Sequence, residues 1–155
     1  MFLSWLFDIF EWYGRSPVAA AMNGSVWAFP IVESLHMLGI VLLVGTAVIL
    51  DLRLLGLRLS ATPASALASA LAPWTSAGLA VMLITGPLIL ATDPDRYYYS
   101  PAFRFKMSCL LLGIIVHFVL ARRAGTTTSQ RVVGALSLLL WTCVVSAGRF
   151  IGVFA

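Results

Sequence analysis

His36 and His117 are the only imidazoles in the chain, and both fall inside apolar runs long enough to cross a bilayer. In such surroundings a histidine either ligates a metal or haem iron, or hydrogen-bonds to a neighbouring helix. Each has a glycine about one turn away, Gly39 after His36 and Gly113 before His117. A flat porphyrin needs that clearance to lie against a helix, and paired imidazoles in an apolar bundle are the usual mount for b-type haem. On this reading His36 and His117 are the axial ligands, and Lys106 and Arg149 meet the propionates. Glu33 lies three residues before His36, on the same side of a helix, and adds a carboxylate to the metal-ligating set His36, His117 and Glu33. Copper is the alternative ion, held by His36 with Met37, Met107 or Met22, because thioether and imidazole suit cuprous ion. Met37, however, points away from the face that carries His36. A di-iron centre would need the Glu-x-x-His pair twice and two further glutamates, whereas this chain carries the pair once.

Depth tests the haem reading. Measured from the end at which the first span starts, the two histidines are mismatched by roughly 7 Å at 1.5 Å per residue. Measured from the other end the mismatch grows to roughly 15 Å. The first is within reach of tilt and sliding; the second assigns the histidines to separate sites. A structural alternative makes Glu33 and Arg149 a buried ion pair that fixes helix register, with Lys106 extending to the headgroups.

The elements that would position these groups are transmembrane helices. With 61% hydrophobic and 10% charged residues in 155, the chain has too little polar surface for a water-soluble domain of its size. The expected fold is all-α: a single domain over residues 1–155, an integral membrane bundle of four transmembrane helices. The spans fall at about 29–57, 72–91, 102–121 and 132–154. The first, FPIVESLHMLGIVLLVGTAVILDLRLLGL, places Glu33, His36, Ile40, Leu43, Ala47 and Asp51 along one stripe. The Ala/Ser-rich piece before Pro73 reads as a short helix or as the start of a longer second span, and Gly86-Pro87 predicts a kink. Residues 2–14, with Trp5, Phe10, Trp12 and Tyr13, predict an amphipathic helix lying in the membrane interface, and they lack the pattern of a signal peptide. Cys109 and Cys143 fall within spans and read as small packing residues.

Four spans put both termini and the tyrosine loop Tyr97–Tyr99 on one side of the membrane, called side A. The opposite side, side B, holds Arg53, Arg58, Arg122, Arg123 and Arg131 against Asp51 alone. Side A carries as many basic residues, Arg15, Arg96, Arg104, Lys106 and Arg149, but the last two sit within spans; with those discounted, the positive-inside rule assigns side B to the cytoplasm and the termini to the periplasm of a bacterial inner membrane. The net charge of +4 comes from helix ends, and no basic patch with interleaved aromatics points to nucleic acid. No nucleophile–base pair, phosphate loop or zinc pattern is visible, so hydrolysis and phosphoryl transfer find no support.

The runs ESLHMLGIVLLVGTAVILDLRLLGL and PAFRFKMSCLLLGIIVHFVLARR resemble small bacterial four-span membrane proteins of uncharacterised function. More distantly the chain is similar to four-span cytochrome b and copper-resistance membrane modules. Four-span b-type cytochromes of the ascorbate-reducing kind carry four histidines for two haems. With two histidines, the resemblance implies at most one bis-histidine haem b, on His36 and His117, and no catalytic activity. The expectation is a membrane b-type haem protein passing electrons to a membrane or periplasmic redox partner. The alternatives are a non-catalytic accessory or assembly subunit, as a homo-oligomer or within a larger complex, and a copper-handling module.

Overall fold

The computed structural model describes residues 4–57, 61–121 and 125–152. All regular structure among them is helical. Helix α1 covers Ser4–Gly14 and α2 covers Pro17–Asn23; the first span is α3, Ala28–Leu54, and the second is α4, Ala64–Leu90. Helix α5, Pro94–Tyr99, connects to α6, Pro101–Ile115, which runs on through a π-helical turn, Val116–Leu120. The last span is α7, Thr127–Ile151. Four of these helical stretches are long and apolar enough to cross a membrane. Arg58, Arg122, Arg123 and the expected end of the fourth span at 154 lie outside the described residues.

Local chemistry sets the boundaries. Ser16, Asp93, Ser100 and Thr126 each cap the helix that follows by accepting from a backbone N–H, and a proline at the first helical position follows the first three. Thr126 and Ser129 form a reciprocal capping box. The second span begins at Ala64 rather than near residue 72, so Pro73 lies inside the helix. A proline there removes one backbone hydrogen bond, but ending the helix within lipid would strand several donors and acceptors. The tyrosine connection is also helical, as α5, where a loop was expected.

In space the spans follow the order α4, α3, α7, α6. Helix α3 packs on α4 along one flank and on α7 along the other, and α7 packs on α6. The shared core contains Leu43, Ala47, Met82, Cys109, Leu110, Val116, Leu140, Trp141 and Val144. Small residues set the closest approaches. At the α3–α4 crossing a Cβ on Gly78 would lie 2.5 Å from Leu43 N and 2.8 Å from Gly39 O. At the α3–α7 crossing a Cβ on Gly134 would lie 3.0 Å from Asp51 O. This is the small-residue packing by which membrane helices bring their backbones together.

The N-terminal helices and α5 gather over the side-A end. Phe7 and Phe10 set their rings against Tyr98 at 5.1 and 5.7 Å, and Phe10 also meets Phe103. Tyr13 donates to Pro87 O, Asn23 to Thr92 O, and Arg96 to Ile151 O. The expected interfacial helix, α1, thus sits with α2 and α5 as a lid, tied by its aromatic rings to α5 and α6 and by Tyr13 to α4, while Arg96 of α5 reaches α7. Arg15 pairs with Glu11 on its surface.

Candidate functional site

The polar groups of the spans fall into two clusters at different depths. The side-A cluster centres on His36, which is buried. Its Nδ1 lies 2.7 Å from Thr85 Oγ1, and Thr85 Oγ1 lies 2.6 Å from Val81 O. A hydroxyl has one hydrogen, and the Val81 carbonyl can only accept, so Thr85 donates to Val81 and accepts from His36. The imidazole is thereby fixed with its proton on Nδ1 and its lone pair on Nε2. Cε1 of the same ring lies 3.7 Å from where a Gly86 Cβ would be, and Lys106 acts on the ring electrostatically. The Lys106 side chain lies along α7 at Gly148, 3.4 Å from a Cβ there.

The side-B cluster contains Asp51, Ser137, Trp141 and His117, all buried. His117 sets its ring edge-on to Trp141, with centroids 6.4 Å apart, and to Phe118. It lines a cavity of about 20 Å³ together with Leu50, Ala68 and Ala72. The π turn brings the neighbours Val116 and His117 inward together, and the N–H of Ala121 reaches back to Val116 O to close it.

The arrangement separates several groups that the sequence placed together. His36 is level with Thr85, whereas His117 is level with Leu50 and Ala72. Those positions are fourteen residues apart along α3 and thirteen along α4, about 20 Å on either helix. Two imidazoles on one iron sit about 4 Å apart, taking roughly 2 Å for each metal–imidazole bond. A haem with His36 and His117 as its axial pair therefore does not fit. The two glycines are not porphyrin clearances either. Gly39 lies against Val81, Met82 and the Gly78 backbone of α4, and the Trp141 indole fills the space over Gly113.

Glu33 is exposed on the bundle surface rather than on the inner stripe, which runs His36, Gly39, Leu43, Ala47, Leu50, Asp51 and Leu54. Arg149 is also exposed, with Thr142 and Ser146 on the same side of α7. Among the described residues, Glu33 and Arg149 form no ion pair with each other. Met37 and Met107 are exposed, so neither joins His36 as a copper ligand, and Met22 is buried in α2. Among the described residues, no three His, Cys, Asp or Glu side chains gather as a metal site would require. Sequence reasoning missed Thr85, Ser137 and Trp141. The last two sit one turn apart on α7, a spacing that carried a signal, while Thr85 is marked only by its place beside Gly86-Pro87.

Fold and site together define a four-span, all-α integral membrane protein with polar clusters near both ends of its bundle. Within that class the chain belongs to the family of unknown function DUF6644, which matches residues 9–154. No curated protein and no solved structure matches it.

Proposed function

We propose that the protein is a non-catalytic subunit of a larger membrane assembly, a helical scaffold whose outer face of α4 packs against a partner helix. The observation that carries this reading is the surface of α4. Only 17% of its most apolar stretch is buried, against 33%, 28% and 33% for the other spans. Its uncovered positions include Ala66, Ser69, Ala70, Ser76, Ala77 and Ala80. Lipid chains gain little from alanine and serine, whereas a second helix can approach closely over them. Glu33, Ser146 and Arg149, exposed near the side-A end of α3 and α7, add polar groups that partner helices would satisfy better than lipid.

The distant likeness to cytochrome b and copper-resistance modules, and with it electron transfer through haem b or copper, receives less support from this arrangement. His36 holds its Nδ1 proton on Thr85, and His117 packs on Trp141 far down the bundle. The favoured setting is a bacterial inner membrane with side B in the cytoplasm, on the strength of Arg53 and Arg131 at that end, with Arg58, Arg122 and Arg123 in its loops.

Cysteine placed at Ala77, with Cys109 and Cys143 replaced by alanine, tests the assembly reading when treated with a bifunctional thiol–amine cross-linker in native membranes. A discrete species of higher mass is expected, absent when cysteine stands instead at Leu111 on the uncovered side of α6. A folded protein that stays monomeric with cysteine at Ala77 would sink the reading. A Soret band in protein purified from haem-replete cells would restore the redox alternative.

A further inference from the structure

Among the described residues, the side-B cluster contains a carboxylate without a counter-charge. Asp51 is fully buried, at 0% exposure, and neither of its carboxylate oxygens accepts a hydrogen bond. Facing it from α7 is Ser137, also at 0% exposure, whose hydroxyl acts on the carboxyl without either group closing a hydrogen bond of ordinary geometry. One turn along the same face of α7, Trp141 presents a buried indole N–H that likewise has no hydrogen-bond partner. Gly134, one turn the other way, lets the α3 backbone close over this groove. Asp51 and Ser137 thus face each other from two helices, and with Trp141 one turn along they leave the hydrogen-bonding capacity of three buried polar groups unused.

Among the described residues, the charged groups at this end do not neutralise the carboxylate. Arg53, on α3 itself, donates from Nε to Thr62 O. Arg131 on α7 lies at the loop end, its guanidinium 3.9 Å from where a Gly56 Cβ would be. His117, from the π turn of α6, packs on the far side of Trp141. Among the described residues Asp51 makes no ion pair. An isolated carboxylate in the low-dielectric interior carries a penalty of several kcal/mol, so such a group takes up a positive charge or is not retained.

We propose that Asp51 and Ser137 form a cation-binding site in the membrane interior and that the cation is a proton taken from side B. The proton converts the carboxylate into a carboxylic acid, which gains an O–H able to donate to Ser137 Oγ and keeps a carbonyl oxygen able to accept. The site offers three side-chain oxygens, enough for a proton and short of the shell that an alkali-metal ion requires. Asp51 lies three residues before the end of α3, about 4.5 Å of helix from the side-B loop. Its neighbour Leu50 lines the cavity shared with His117, which has room for a single water near the proton's path. The site goes beyond the scaffold reading and does not depend on it.

Infrared spectroscopy of the full chain in detergent tests the site across pH, in choline chloride and in sodium chloride. The expected result is a protonated-carboxyl C=O band that shifts in heavy water, moves on aspartate carboxyl ¹³C labelling, and disappears in Asp51→Asn. Ser137→Ala should shift the band without removing it. If Asp51→Asn does not fold, Asp51→Glu keeps a carboxyl there and should leave a band that no longer moves on aspartate labelling, which separates Asp51 from Asp8, Asp93 and Asp95. The proposal is overturned if the wild type shows no aspartic acid band that Asp51→Asn or Asp51→Glu removes. It is equally overturned if sodium at constant pH abolishes the band, because the site would then take an alkali-metal ion, or if Ser137→Ala leaves the band unmoved.

Discussion

The α3–α4 crossing predicts that Gly78→Ala is far more damaging than its size suggests. A Cβ at that position meets Leu43 N at 2.5 Å, Gly39 O at 2.8 Å and Leu42 Cβ at 3.0 Å. The two shortest contacts are with backbone, which no rotamer change can relieve, so restoring ordinary contact at 3.4 Å requires the helices to part by about 0.9 Å. Because α4 packs mainly on α3, that separation acts on most of the packing that holds α4 in the bundle. Overpacking of this kind costs about 1–3 kcal/mol, while alanine recovers up to about 1 kcal/mol through its helix propensity. A net loss of about 1–2 kcal/mol is expected, a five- to thirtyfold shift toward the unfolded state. Gly45, on α3 with nothing within 4 Å of a Cβ, provides the control, and Gly45→Ala should be neutral or stabilising. Unfolding by SDS in mixed micelles, followed by tryptophan fluorescence, measures both. Equal stability of the two variants would refute the claim that backbone contact at Gly78 sets the crossing.

Three further outcomes follow from the same geometry. Thr85→Val keeps the shape but leaves the His36 Nδ1–H without its acceptor, and about 1–3 kcal/mol of stability should be lost in the same assay; Thr85→Ser should restore most of it. Burial pushes the Tyr97 hydroxyl above its ordinary value of 10.0; the positive charge of Arg96 opposes this, and the nearby carboxylates Asp93 and Glu33 add weakly to it. The folded state therefore favours the neutral phenol, so its contribution is complete below about pH 10 and lost as pH rises beyond it; Tyr97→Phe should remove that part of the alkaline loss in a melting-temperature series. For topology, cysteine at Tyr98 should react with an impermeant reagent from outside intact cells and cysteine at Thr127 should not; the reverse pattern inverts the assignment.

The fold was legible because lipid restricts the choices. Twenty-residue apolar runs in a chain this poor in charge have to be helices, and the caps at Ser100 and Thr126 can be read from residue type alone. The start of α4 was harder, since Pro73 is a breaker in water and only a local defect in a bilayer. The inner stripe of α3 was read correctly from His36 to Asp51, but Glu33 was placed on it by periodicity. The stripe ends at His36 because α4, which it faces, has by then reached Thr85 and Gly86 near its own end. The haem assignment used residue type and neighbouring glycines, features that helix crossings and ligand cradles share. What separates them is depth, and depth depends on how α3 and α6, which carry the two histidines, sit along one another, which composition does not fix. Partners such as Thr85 and Ser137 stayed hidden because a hydroxyl in an apolar helix usually bonds its own preceding turn, as Thr142 does to Leu138.

The wide turn at Val116–Leu120 has a mechanical consequence for the third span. A π turn holds one residue more than the helix around it needs, so it acts as slack in an otherwise inextensible rod. Removing one residue from 118–120 would let the rod close to α geometry while Val116 and His117 kept their places against Trp141. The flanking turns would keep their faces, whereas the same deletion in a regular α-helix turns everything beyond it by about 100°, one residue's share of a 3.6-residue turn. Lys106 and the lid would not feel it. The third span can thus lose this one residue without re-facing His117 or Lys106, a change of length that its regular α-helical part could not take.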